Sequence, residues 1–126
     1  MNLYSILNEL ILEAASDAEV SDAIVKHNRV KIRYQEPDGT YSTRYLESYV
    51  LGLSKAGNPI VRAYQYAGDT TTEIGWKTFR LDRIIDWEEL NERPFSNPIS
   101  DRIPGIPKYN RFGDGSMTRI NKQAKF

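Results

Sequence analysis

The chain has 126 residues, 40% of them hydrophobic and 27% charged, with 17 basic and 17 acidic side chains and a net charge of zero. That length suits one domain, able to bury roughly two thirds of the surface its unfolded form exposes, so folding needs neither disulfides nor a metal. The absence of cysteine and the single histidine, His27, exclude zinc ribbons, iron–sulfur clusters, cysteine nucleophiles and multi-histidine metal centres.

No apolar run approaches the ~20 residues a membrane span needs. The N-terminus has no basic n-region, so a secretory leader is not expected. Absence of cysteine fits a cytoplasmic location. The zero net charge hides an asymmetry. Residues 1–28 carry five acids and one base, and residues 93–126 carry seven bases and two acids. Either the basic tail meets an anionic partner, or head and tail pack together within or between chains.

The head reads as two short helices. Leu3, Ile6, Leu7, Leu10, Ile11 and Ala14 recur at three- and four-residue spacing, which puts them on one helical face. Tyr4 and Leu12 widen that apolar stripe, so it suits either a lid over the core or a partner subunit. Ser16 and Glu19 have the form of a capping box. A second helix follows, with Val20, Ala23 and Ile24 inward and Asn28 as its stop. His27, alone near a helix end, reads as structural rather than as a catalytic base.

The middle reads as antiparallel β-structure. Residues 29–35 alternate, with Val30, Ile32 and Tyr34 on one side and Arg29, Lys31 and Arg33 on the other. Pro37-Asp38-Gly39 is a turn. A long strand is expected over 41–53, with Tyr41, Thr43, Tyr45, Glu47 and Tyr49 sharing a face if no bulge intervenes. A third strand covers 59–67, and residues 76–87 hold a fourth and a fifth. Short strands with close turns indicate a small barrel or curled sheet. From about Asn91 the chain has no periodicity. Four prolines (Pro94, Pro98, Pro104, Pro107) stand among many large apolar groups, which describes an extended arm laid over its own domain or a neighbour. Gly113-Asp114-Gly115-Ser116 is a tight turn that lacks the lysine of a phosphate loop.

No residues assemble a catalytic motif. No nucleophile elbow is present, and Asp82 and Asp86 are better explained by ion pairing with Arg80 or Arg83 than by a metal. A non-enzymatic protein without cofactor or metal is expected. Arg29, Lys31, Arg33, Arg44, Arg62, Lys77, Arg80 and Arg83 alternate with Tyr34, Tyr41, Tyr45, Tyr49, Tyr64, Tyr66 and Trp76 in the strand region. Arginine supplies a planar fork for phosphate, and aromatic faces stack on bases. The same residue types serve protein–protein interfaces.

Three stretches carry a family resemblance: Val30-Lys31-Ile32-Arg33-Tyr34, Arg44-Tyr45-Leu46-Glu47-Ser48-Tyr49, and the closing strand Phe79-Arg80-Leu81-Asp82-Arg83-Ile84. With Val61-Arg62-Ala63-Tyr64 they make residues 29–87 resemble a WYL-type domain. The Trp-Tyr-Leu tripeptide itself is absent, and Pro59-Ile60-Val61 stands in its place. The resemblance implies an SH3/Sm-like barrel that senses a ligand or binds nucleic acid. It carries the ligand site over to Arg62, Arg80 and Arg83, with Tyr64 beside them to stack; Arg44, on the arginine strand, joins them. The whole chain is similar to small stand-alone WYL-like proteins of tailed bacteriophages, including the crAss-like group.

The expectation is therefore one α+β domain: a helical head (1–28), a small antiparallel SH3/Sm-like barrel (29–90) and an irregular, extended proline-rich arm (91–126). Its expected partner is single-stranded nucleic acid or a nucleotide, in a regulatory or counter-defence role in the host cytoplasm. The alternative is a virion structural or assembly protein, a homo-oligomer or phage or host protein partner held through the leading helix and the arm.

Overall fold

The computed structural model describes residues 15–126. The leading helix expected within residues 1–14 lies outside the described residues. Helix α1, Asp17–Lys26, follows the capping-box reading: Glu19 N–H donates to Ser16 Oγ at 3.1 Å, and Ser16 N–H reaches back to Glu19 Oε1 at 3.4 Å. Its Val20, Ala23 and Ile24 are buried. The helix stops at His27, one residue before the expected Asn28, in a left-handed conformation (φ 56°). The His27 ring stacks on Phe126 (4.4 Å between centroids) and Phe95 (5.2 Å), so it has a structural place.

Five strands then follow: β1 Arg29–Gln35, β2 Tyr41–Ser54, β3 Pro59–Gly68, β4 Gly75–Arg80 and, after a 3-10 turn at Leu81–Arg83, β5 Ile84–Glu89. All pairings are antiparallel, in the order β4-β3-β2-β1-β5. β1 alternates as its sequence predicts, with Val30, Ile32 and Tyr34 buried. β2 does not. The β2–β3 ladder shifts register between Tyr45 and Leu46 and between Ser48 and Val50. These bulges break the single face expected for Tyr41 to Tyr49, and Leu46 through Gly52 are buried without alternation.

The arm is more regular than its sequence suggests. It contains a one-turn helix α2, Ile99–Arg102, and a strand β6, Met117–Gln123, which pairs with the second half of β2. β6 is polar and mostly exposed. It has no apolar alternation to detect, because backbone pairing to a free edge rather than burial of side chains holds it. Gly52 in β2 permits that pairing: a Cβ there would lie 2.1 Å from the Arg119 carbonyl oxygen.

The sheet has two covered faces. One holds Val30, Ile32, Leu46, Leu51 and Ile84, in the same core as Val20, Ala23 and Ile24 of α1, and the helix itself lies against β2 and β6. The other carries Tyr49, Tyr64 and Trp76 and is covered by Phe95, Ile99, Tyr109 and Phe126 of the arm. Glu47 sits under this cover with 1% of its surface exposed. Its carboxylate accepts from Arg29 Nε at 3.1 Å, from Tyr49 OH at 2.7 Å and from Arg102 Nη2. The same two arginines also hold arm carbonyls, Arg29 that of Arg93 and Arg102 that of Asn97. Tyr49 OH in turn accepts from Ile99 N–H at 2.9 Å. Burial first, and then the adjacent Glu47 charge, push the Tyr49 phenol well above its ordinary range, so it remains a neutral donor.

Two outcomes are expected. Glu47→Ala strands two guanidinium groups beneath the arm and costs about 3 kcal/mol in urea unfolding, the low end for breaking a buried pair because both arginines keep some contact with water. A loss below about 1 kcal/mol would remove Glu47 from the centre of the fold. Gly52→Ala forces β6 away. Hydrogen exchange of Arg119, Ile120 and Lys122 amides rises while β1 and β5 keep their protection; unchanged exchange in β6 would contradict the close approach.

Candidate nucleotide-binding pocket

The β3–β4 hairpin aligns Arg62 with Thr78 and Tyr64 with Trp76, and on the other side of β3 Arg62 lies opposite Val50 of β2. Side chains on one face of paired strands meet. Val50, Arg62 and Trp76 thus form a floor, and the arm supplies the wall: Pro107, Lys108, Tyr109, Asn110, Gly113 and Asp114. The pocket is open on one side and its volume is about 140 Å³, close to that of a cavity that holds one six-membered ring.

Arg62 is held from the sheet side. Its Nη1 donates to Thr78 Oγ1 at 3.2 Å, and its guanidinium lies 5.7 Å from the Trp76 ring centroid. Its Nε is 3.6 Å from Asp114 Oδ2. Trp76 is fixed by its indole N–H, which donates to the Pro107 carbonyl at 2.9 Å. Tyr109 stacks near it and anchors its hydroxyl on the Ala124 carbonyl at 3.0 Å. Two cations, Arg62 and Lys108, and one carboxylate, Asp114, line the pocket, which favours an anionic guest.

The five residues singled out from the sequence do not converge. Arg62 is in the pocket. Tyr64 is only 9% exposed and packs edge-on against Trp76 at 5.4 Å, so Trp76, not Tyr64, lines the open space. Arg80 lies one row from Arg62 on the hairpin, but its guanidinium is engaged by Asp82 at 3.0 and 2.6 Å. Arg83 is half-buried in the 3-10 turn. Arg44 contacts Phe79, whose side chain alternates with Thr78 and Arg80, and so belongs to the opposite face. There it bonds Glu36, Gln65 and Ser42 and acts as a structural cation.

Lys108 and Asp114 were not selected from the sequence. Their only signal was a basic and an acidic residue beside prolines and glycines in an arm without periodicity, and nothing local aims them at β3.

The Arg44 cluster has a pH signature. Burial alone would raise the Glu36 pKa, but the hydrogen bonds from Arg44 and Ser42 outweigh it and hold the carboxyl below its ordinary value of 4.5. A depressed native pKa stabilises the fold in full above that ordinary value, and the contribution disappears as pH falls through the native one. Glu36→Gln should therefore lower urea stability at pH 7 and leave it nearly unchanged once the wild-type carboxyl is protonated. An equal loss at every pH would assign the effect to packing instead.

No curated protein matches the chain. The family model described as WYL domain matches residues 18–89, which run from α1 to the end of β5 and include β3 and β4 of the pocket. Domains of this kind are generally ligand- or nucleic-acid-sensing regulatory modules rather than catalysts, and with more than half of its length matched the chain belongs to the WYL domain family.

Proposed function

We propose that the protein is a non-enzymatic binding module that recognises nucleic acid or a nucleotide, with the Arg62 pocket as its point of contact. The observation that carries this reading is the placement of Arg62 and Lys108 around the Trp76 indole in a space sized for one ring or one phosphate. Arg62 and Lys108 neutralise phosphate, and Trp76 supplies an apolar wall for a base or sugar. Arg80 and Arg83, outside the pocket, are candidates for a second phosphate along the hairpin. The bonds between Arg80 and Asp82 must then open.

The reading includes an SH3/Sm-like curl of the sheet. Its support is the long bulged β2, which serves three partner strands, and the short 3-10 link from β4 to β5. It also includes a phage-encoded regulatory or counter-defence role in the host cytoplasm, which rests on the sequence resemblance alone. No helix among the described residues is long and apolar enough to cross a membrane. A second reading, a virion or assembly component, draws on Phe112, which stands 95% exposed on the arm.

The test is fluorescence anisotropy with labelled single-stranded RNA, single-stranded DNA and duplex DNA across a salt series. Binding to a single strand should weaken log-linearly with salt, and Arg62→Ala should reduce the slope by roughly 0.7, one phosphate contact on a single strand. The Arg80→Ala/Arg83→Ala double variant should reduce affinity less than Arg62→Ala. No binding at low salt would end the nucleic-acid reading. An oligomer in light scattering that Phe112→Ser dissolves would then favour assembly.

A further inference from the structure

The pocket already contains an anion. Asp114 is 14% exposed at its side chain, and its Oδ2 faces the Arg62 Nε at 3.6 Å. That separation exceeds a hydrogen bond, which needs roughly 2.7–3.2 Å. The carboxylate is instead held by its own turn: Oδ1 accepts from Ser116 N–H at 2.8 Å and from the Ser116 hydroxyl. Arg62 does not depend on Asp114 either, because Thr78 and Trp76 hold it from the sheet. The two charges are therefore neighbours by placement, each oriented by other groups, and parting them disrupts neither support.

The backbone around Asp114 is suited to movement. Gly113 has φ 122°, a conformation that side-chain-bearing residues rarely adopt, and Gly115 lies on the other side. A Cβ at either glycine would meet nothing within 4 Å, so neither glycine is packed in on that side, and the Asp114 carbonyl accepts from Met117 N–H at 3.1 Å. The arm is fixed on both sides of it, by the indole N–H on Pro107 and by β6 on β2.

We propose that Asp114 is a built-in stand-in for the ligand's phosphate: its carboxylate occupies the anion position beside Arg62 and is displaced, with the 113–116 turn, when a phosphate monoester enters. The proposal rests on the Arg62 reading above and adds its regulation. The guest is an anion of the size of a phosphate group, such as a strand terminus or a mononucleotide, because the pocket holds one ring or one phosphate and not a run of nucleotides. Asp114 makes the pocket self-satisfied when empty and raises the threshold for weak anions. Arg62 then exchanges a loose ion pair for bonds to a phosphate with more acceptor oxygens.

The experiment measures the affinity of a short 5′-phosphorylated oligothymidylate carrying a 3′ fluorescein for wild type, Asp114→Asn, Arg62→Ala, Asp114→Asn/Arg62→Ala and Asp82→Asn. Asparagine keeps the Oδ1 acceptor that the Ser116 turn uses, and thermal melts check each fold. Asp114→Asn should bind roughly twofold to fivefold tighter, the scale of a partly exposed ion pair. The gain should vanish in the double variant, and Asp82→Asn, which frees Arg80 outside the pocket, should tighten binding less than Asp114→Asn. In wild type the Gly113 and Gly115 amide resonances should shift as the probe is added.

Arg62-dependent binding with no gain in Asp114→Asn, or with unmoved glycine amides at saturation, would overturn the stand-in and leave the pocket reading intact. Absence of any Arg62-dependent binding, in every variant, would remove both. Tightening by Asp82→Asn in place of Asp114→Asn would move the anion position to Arg80 and overturn the proposal.

Discussion

Glu47 is a carboxylate almost out of reach of water, and an unpaired charge in that position would cost several kcal/mol. Its partners come from three separate stretches: Arg29 at the start of β1, Tyr49 two residues along β2, and Arg102 at the end of α2 in the arm. The arm's position on the sheet follows from that need. Arg102 can reach Glu47 only if α2 lies over the sheet, and there Ile99 N–H meets Tyr49 OH and Phe95 meets the tyrosine ring. The charge pairing fixes one placement among the many that a proline-rich, apolar segment could adopt on an aromatic surface.

The candidate site is a consequence of that placement. Arg62 and Trp76 alone are two residues on an open sheet face. With the arm docked, Lys108 and Asp114 are added and a pocket exists. The floor of the site is thus built from strands within the matched domain and its wall from residues beyond it, since the family match ends at residue 89. The pocket and the Glu47 network are linked through Tyr49, which packs on both Trp76 and Tyr109. Ligand affinity is consequently coupled to how firmly the arm is held, and a weakened network should weaken the pocket without touching it.

Local patterns were readable where one interaction decides them. The capping box at Ser16–Glu19, the alternation of β1 and the turn at Asp38-Gly39 each depend on neighbours in the chain. The site was readable in part for the same reason. Arg62 falls in a strand inside the matched residues, but whether an arginine is free or engaged depends on remote partners. Arg44 finds Glu36 and Gln65, Arg80 finds Asp82, and Tyr64 is covered by Trp76. Only the first sequence neighbours of Arg80 hinted at any of this.

The sequence by itself determined the local pattern: a capped helix before a run of antiparallel strands, with arginine and tyrosine prominent on those strands. These follow from composition and from periods of two and 3.6, which are local. Tertiary structure alone decided the two bulges of β2, the strand made from the polar segment Met117–Gln123, and the meeting of Arg62 with Lys108 and Asp114. Each arises from contact between residues distant along the chain. A polar strand on a free edge, or a carboxylate brought to an arginine 52 positions away, leaves no periodic mark in the sequence that carries it.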